Sequence, residues 1–208
     1  MNYLDPSEYG TYGLTATTEV SWLTIASSII DTHCRRPTLG VSQYTERLRV
    51  QDPTRPVRLT YLPLTVLAPA TSAIVSVQAR YATPRRGEWT YDEMVWDAAQ
   101  VFGIPGSWTD LNVTDLDVFA ETGEITLPVN VLSWTFNEVE VVYTAGLDPI
   151  PDAVKVACAQ IVKNAQATPA LNLKKSVIDK MQFWYFADTL MDDTVQTMLA
   201  PYVAQKVG

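Results

Sequence analysis

Residues 139–165 read VEVVYTAGLDPIPDAVKVACAQIVKNA, and the change of period inside this stretch decides the fold. Val139, Val141 and Tyr143 alternate with Glu138, Glu140 and Val142, the repeat of two that belongs to a half-buried strand. Gly146 breaks the run, and Pro149 and Pro151 forbid its continuation as sheet. Pro151 suits a first helical position, where its missing N–H costs nothing, and Asp152 favours the positive end of a helix dipole. Val154, Ala157, Cys158, Ile161, Val162 and Ala165 then share one helical face. A strand therefore hands over to an amphipathic helix within six residues.

Outward from this joint, the chain organises as helix, strands, then helices. Thr17 or Thr18 is placed to cap a helix whose apolar stripe reads Trp22, Ile25, Ala26, Ile29, Ile30 and His33, ended by Pro37 and Gly40. Residues 1–14, rich in Tyr and Gly without periodicity, read as an extended N-terminal arm. Strands are expected near 43–50, 57–62, 73–82, 116–120, 124–128 and 138–144. Thr90 and Glu93 form a capping box that opens a short helix over 91–102, closed by Gly103 and Pro105. Residues 176–187 read as extended and aromatic. Asp192 or Asp193 caps a final helix with Val195, Met198, Leu199 and Tyr202 on one side. The fold class is α+β, with helices beside a mainly antiparallel sheet.

The block at 139–165 resembles the tail-proximal half of the head–tail connector (adaptor) proteins of long-tailed bacteriophages. The resemblance lies in a strand ending in Tyr143-Thr144-Ala145-Gly146, the Ile150-Pro151 step, and the amphipathic helix that follows. It extends to Gly123-Glu124-Ile125-Thr126-Leu127-Pro128 as the preceding strand, to residues 18–36 as an opening helix with a short basic end, and to residues 190–202 as a closing helix. Residues 83–122 fall outside it. The resemblance implies a helical bundle of an N-terminal helix, a helix near 151–167 and a short C-terminal helix. A large antiparallel β-rich insertion, itself containing a short helix, lies between the first two. In domain terms it implies one connector domain over 15–208 with its β-rich elaboration at about 41–146.

Composition sets the outer limits. A chain of 208 residues, 47% hydrophobic and 18% charged, is globular rather than disordered. No apolar run approaches the ~20 residues that span a bilayer. The N-terminal stretch has neither the basic nor the apolar region of a secretory signal. The expectation is a soluble chain made in the host cytoplasm, with no membrane partner. Cys34 and Cys158 read as small buried apolar residues, with a disulfide as the lesser alternative.

Charge is distributed in blocks around a net value of −8. Residues 1–87 carry nine Arg and six acids, residues 88–152 carry thirteen acids and no base, and residues 153–208 carry six Lys and four Asp. Either the acidic block is a solvated surface, or it docks on a basic partner or repels passing DNA. It opposes ordinary nucleic-acid binding, which needs clustered bases.

Chemistry is sparse. Asp110, Asn112, Thr114 and Glu121 mimic calcium-loop spacing, but Asp115 stands where that loop needs glycine. His33 is the only histidine and has no zinc-spaced companions. No glycine-rich phosphate loop and no singled-out carboxylate pair appears. No catalytic residue, metal site or cofactor is expected, and the protein is not read as an enzyme. The consecutive aromatics Phe183, Trp184, Tyr185 and Phe186 cannot all face one side of a strand, so one side is expected to meet another subunit or the portal, together with Met198 and Tyr202.

The function that the resemblance implies is a structural virion protein. Its ring of subunits docks beneath the portal protein at the virion neck, between capsid and tail. There it extends the DNA channel and receives the tail or tail-terminator protein, while DNA passes without specific binding. Neighbouring copies would contact through Arg35, Arg36, Arg85 and Arg86 facing the acidic block. The alternative is a β-sandwich carbohydrate- or protein-binding module that uses Trp89, Trp96 or Trp108 as stacking platforms.

Overall fold

The computed structural model describes residues 1–50, 56–82, 101, 106–128, 136–167, 175–178, 181–184 and 190–204, with the backbone alone for 175–178 and 181–184. The fold is α+β. In chain order it contains α1 (Val20–His33), β1 (Ser42–Arg49), β2 (Val57–Arg58), β3 (Ile74–Arg80), β4 (Thr109–Leu111), β5 (Asp117–Phe119), β6 (Glu124–Thr126) and β7 (Glu138–Ala145). Then follow α2 (Asp152–Ala167), β8 (Lys175–Ile178), β9 (Met181–Trp184) and α3 (Asp193–Leu199). The helix expected over 91–102 lies outside the described residues apart from Val101, which is helical. Among the described residues no helix is long and apolar enough to cross a membrane. Contacts divide the chain into two compact units: residues 1–40 with 147–204, and residues 41–146 with 205–208.

In the first unit, α2 packs on both α1 and α3. The face of α2 expected from its periodicity, Val154, Ala157, Cys158, Ile161, Val162 and Ala165, is buried. Its start differs by one position. The carbonyl of Pro151 accepts from Val154 and Lys155, so the proline caps the helix and Asp152 is its first residue.

Three expectations for the N-terminal region are corrected. Residues 1–14 are not an extended arm: Tyr3, Leu4, Tyr9 and Leu14 are buried in the helical core, and Pro6–Glu8 form a 3-10 turn. Helix α1 turns most of the expected face inward, with Trp22 and Ile29 packed against the core, but that face is centred on Leu23 rather than Ile25. Leu23, Ala26, Ser27 and Ile30 are buried, whereas Ile25 remains 54% exposed. The cause is the N-terminal segment itself. The Tyr3 backbone N–H donates to Ser27 Oγ at 3.2 Å and its phenol to Asp31, so the segment recruits the side of α1 that carries those polar groups. Neither Thr17 nor Thr18 caps α1. Glu19 occupies the N-cap without a side-chain bond, and the Thr18 hydroxyl lies 3.2 Å from that of Thr15.

The second unit is two antiparallel sheets sharing one apolar core. Their strand orders are β1-β7-β3-β4 and β2-β6-β5. The inward side of β7, Val139, Val141, Tyr143 and Ala145, is fully buried and meets Val77 and Ala79 of β3 and Ile125 of β6. The strand expected over 57–62 is cut to Val57–Arg58 because side chains take over its backbone donors. Thr60 N–H donates to Glu46 Oε2 at 3.0 Å and Tyr61 N–H to the Tyr143 hydroxyl at 3.2 Å. Tyr61 then stacks on Tyr44, with centroids 4.3 Å apart. Strand β4 was not expected. It joins through Val77↔Leu111 to Ala79↔Thr109.

At the end of β7, Gly146 has φ +141°, a backbone conformation that strains any residue with a Cβ. Its N–H donates to the Pro63 carbonyl at 3.0 Å, and its own carbonyl accepts from Thr65 Oγ1 at 2.6 Å. Of the segment read as extended over 176–187, the described residues lie in two strands, β8 and β9, paired from Lys175↔Trp184 to Ile178↔Met181.

Candidate functional site

The antiparallel register of the larger sheet gathers its charges on one face. Arg49 pairs with Glu138, Arg47 with Glu140, and Arg80 with Glu138 from the other side. Directly opposed residues in an antiparallel pair point the same way, so two strands deliver arginines to a carboxylate on the strand between them. Glu138 is buried at 4% exposure. Its Oε1 accepts from Arg47 Nε at 2.8 Å and its Oε2 from Arg80 Nε at 2.6 Å, with Arg49 Nε 3.9 Å from Oε1. Both bonded guanidinium groups also lie over Trp108, Arg80 at 4.6 Å and Arg47 at 5.2 Å from the ring centroid. A cation over an indole face is attracted by the ring quadrupole.

The neighbouring backbone is held as firmly. The Asn137 side-chain amide donates to the Ala82 carbonyl and accepts from its N–H, both at 2.6 Å, which ties the start of β7 to the end of β3. Burial works against the Glu138 carboxylate, but the hydrogen bonds from Arg47 and Arg80 and their charges outweigh it, and its pKa lies below the usual glutamate range. Each Glu138 oxygen thus accepts one of these bonds, and the two arginines favour its charged form.

A second polar cluster lies in the helical unit. The Tyr3 hydroxyl donates to Asp31 and accepts from the Leu39 N–H at 2.7 Å. Burial is the first cause that raises the Tyr3 pKa, and it raises that of Asp31 as well. Leu39 in turn accepts from Leu147 N–H at 2.9 Å, so this cluster secures the place where the two segments of the unit lie side by side. Cys34 and Cys158 are free thiols, each pushed up to about 11 by burial. Among the described residues no group of three or more His, Cys, Asp or Glu is placed to hold a metal ion. The calcium-like stretch resolves into β4, a 3-10 turn capped by Asn112, and β5.

The residues named from sequence fall as follows. Arg35 is exposed and Arg36 half-buried at the end of α1. Arg35 has φ +55°, and the bonds Arg35 N–H to Thr32 and Arg36 N–H to Asp31 form the paired closure that ends helices, with an arginine where glycine is usual. Met198 is half-buried, and Tyr202 packs against the helical core. Phe183 and Trp184 lie in β9, known here by its backbone. Arg85, Arg86, Tyr185, Phe186, Trp89 and Trp96 lie outside the described residues.

Sequence reasoning passed over Arg47, Arg80 and Glu138. Their signal was present as arginines two apart at 47 and 49 and glutamates two apart at 138 and 140 on expected strands. The order of strands that joins them was not. The acidic block is also less uniform than its sequence: Glu138 belongs to an internal ion cluster, whereas Asp115, Asp117 and Glu121 are exposed. The chain matches no protein-family model, and no curated protein matches it at a significant level.

Proposed function

We propose that the protein is a structural subunit of a bacteriophage neck: a head–tail connector (adaptor) whose copies form a ring beneath the portal protein, extend the DNA channel and receive the tail or tail-terminator protein. One observation carries the reading, the joint at residues 138–167. There a buried strand stops at Gly146 and the chain re-enters as α2 after Pro151, in the same order of Tyr-Thr-Ala-Gly, Ile-Pro and amphipathic helix on which the resemblance rests. The placement of a β-rich segment between α1 and α2 supports it.

In this reading the helices form the bundle and the strands its elaboration. Neighbouring copies meet head to tail, a heterologous contact that closes by rotation. Arg35 and Arg36, with Arg85 and Arg86, offer positive charge to the exposed part of the acidic block on the next copy. Phe183, Trp184, Tyr185, Phe186, Met198 and Tyr202 belong to the portal or subunit interface. The remaining exposed acids let DNA pass along the channel without adhering. The alternative of a tryptophan-based binding module draws no support from Trp108, whose ring is occupied by two guanidinium groups.

The experiment is imaging of the purified chain mixed with its cognate portal. Rotationally symmetric density added below the portal is the expected result. A chain that stays monomeric and leaves the portal unchanged would overturn the proposal.

A further inference from the structure

The arginine cluster does more than neutralise Glu138. Among the described residues Glu138 is the one hydrogen-bond acceptor of Arg47 and of Arg80, and both reach it through Nε. Among the described residues their terminal Nη groups meet no hydrogen-bond acceptor, and the Arg47 side chain is 50% exposed. A guanidinium whose orientation is already set by a carboxylate and an indole loses little freedom on binding a second carboxylate in its planar fork. Here is a built and partly open acceptor for carboxylates, in a chain whose net charge is −8.

Its complement is on the same chain. Strand β5 is an edge of the smaller sheet, in the order β2-β6-β5. Asp115, Asp117 and Glu121 are exposed along it, and none of them enters an ion pair among the described residues. Phe119, between them, is 53% exposed. An edge strand with an uncovered aromatic and unpaired acids is an unfinished surface. The two surfaces lie on different sheets, so one copy can offer both at once, as a head-to-tail contact requires.

We infer that Arg47 and Arg80 receive Asp115, Asp117 and Glu121 from the β5 edge of a second copy, with Phe119 supplying the apolar part of the contact. The inference rests on the proposal that copies associate head to tail, and it names the surfaces through which they do so. It replaces no residue of that proposal. It adds a basic partner held in place by the sheet rather than at a helix end.

The test uses the full chain, with its oligomeric state followed by sedimentation and mass photometry at about 50 mM and about 500 mM salt, where screening differs severalfold. Asp117→Lys with Glu121→Lys alters two exposed side chains and should weaken self-association at least roughly tenfold, as like charges now face each other. Arg47→Glu should do the same. Mixing the two variants should restore assembly, because each then meets an opposite charge. If Arg47→Glu fails to fold, as judged by circular dichroism, the acidic variant still decides. Wild-type rings that persist in the Asp117→Lys/Glu121→Lys chain would overturn this inference and leave the connector proposal standing. A wild-type chain that remains monomeric at low salt, with and without portal, would overturn both. Retention of a duplex oligonucleotide that is lost in Arg47→Gln would assign the cluster to phosphates and overturn the inference alone.

Discussion

The helical unit and the sheet unit bury polar groups in opposite ways. In the helical unit the core is aliphatic, and its principal buried polar contact, Tyr3 with Asp31 and Leu39, serves to pin one chain segment to another. Its ion pair, Lys155 with Glu8 at 2.5 Å, sits at the margin. In the sheet unit a carboxylate is drawn under the surface and surrounded by arginines from two strands, one of them half in water. Unpaired burial of a charge is costly, and three positive partners over-compensate it. The contrast teaches where to look for interaction. The buried polar contact of the helical unit ties segments together, while the sheet unit leaves a partly exposed guanidinium and exposed acids at its surface.

Substitution at Leu23 should give the largest effect and tests the helical side of that contrast. Leu23 is fully buried, so Leu23→Ala removes packing and leaves a cavity, a loss of about 2–5 kcal/mol in urea unfolding. Ile25→Ala, two residues along the same helix but largely in water, should change stability by about 0.5 kcal/mol or less. A loss at Ile25 as large as that at Leu23 would contradict the burial of Leu23 and exposure of Ile25.

The sheet side breaks at Glu138. Glu138→Gln removes the charge that both arginines share. The cost should be about 2 kcal/mol, below the ~3–5 kcal/mol of a fully buried pair because Arg47 is half-exposed. The pH dependence has a definite sign. The Glu138 carboxylate is held below its ordinary 4.5, so its contribution is complete above that value and is lost as pH falls through the lower folded value. Acid titration of wild type should show a loss of stability in that window that the Gln variant lacks. Identical acid profiles would remove the ion cluster from the stability argument.

The smallest effect sharpens the comparison at the helix end. Arg35 occupies the left-handed region, which costs a residue with a Cβ about 1–2 kcal/mol relative to glycine. Arg35→Gly should therefore raise the unfolding free energy by about 1 kcal/mol. If the charge at Arg35 works between copies, the same substitution weakens ring formation while it stabilises the monomer. Stabilisation with unchanged assembly would leave Arg47 and Arg80 as the positive partners.

Legibility from sequence follows the range of the interactions involved. Strand β7 and helix α2 were legible because each carries its own period: buried Val139, Val141 and Tyr143 alternate, and Val154 through Ala165 recur on one helical face. Gly146 and Pro151 marked their ends for local steric reasons. The inward face of α1 was legible in part: Ala26 and Ile30 were expected there, Leu23 and Ser27 were not. That helix is apolar on more than one side, and the choice fell to Tyr3 and Leu4, which are distant in sequence. Strand β2 was overestimated because Glu46 and Tyr143 compete for its backbone donors from elsewhere in the chain.

The order of amino acids by itself determined the α+β class, the strand-to-helix joint and the block distribution of charge. Each of these depends on neighbours within a few residues or on composition. Tertiary structure alone decided that Leu23 rather than Ile25 is buried on α1, that the N-terminal segment is core, and that Arg47, Arg80, Trp108 and Glu138 form one cluster. Strand order makes neighbours of positions 47, 80, 108 and 138, and no local period encodes which strand lies beside which.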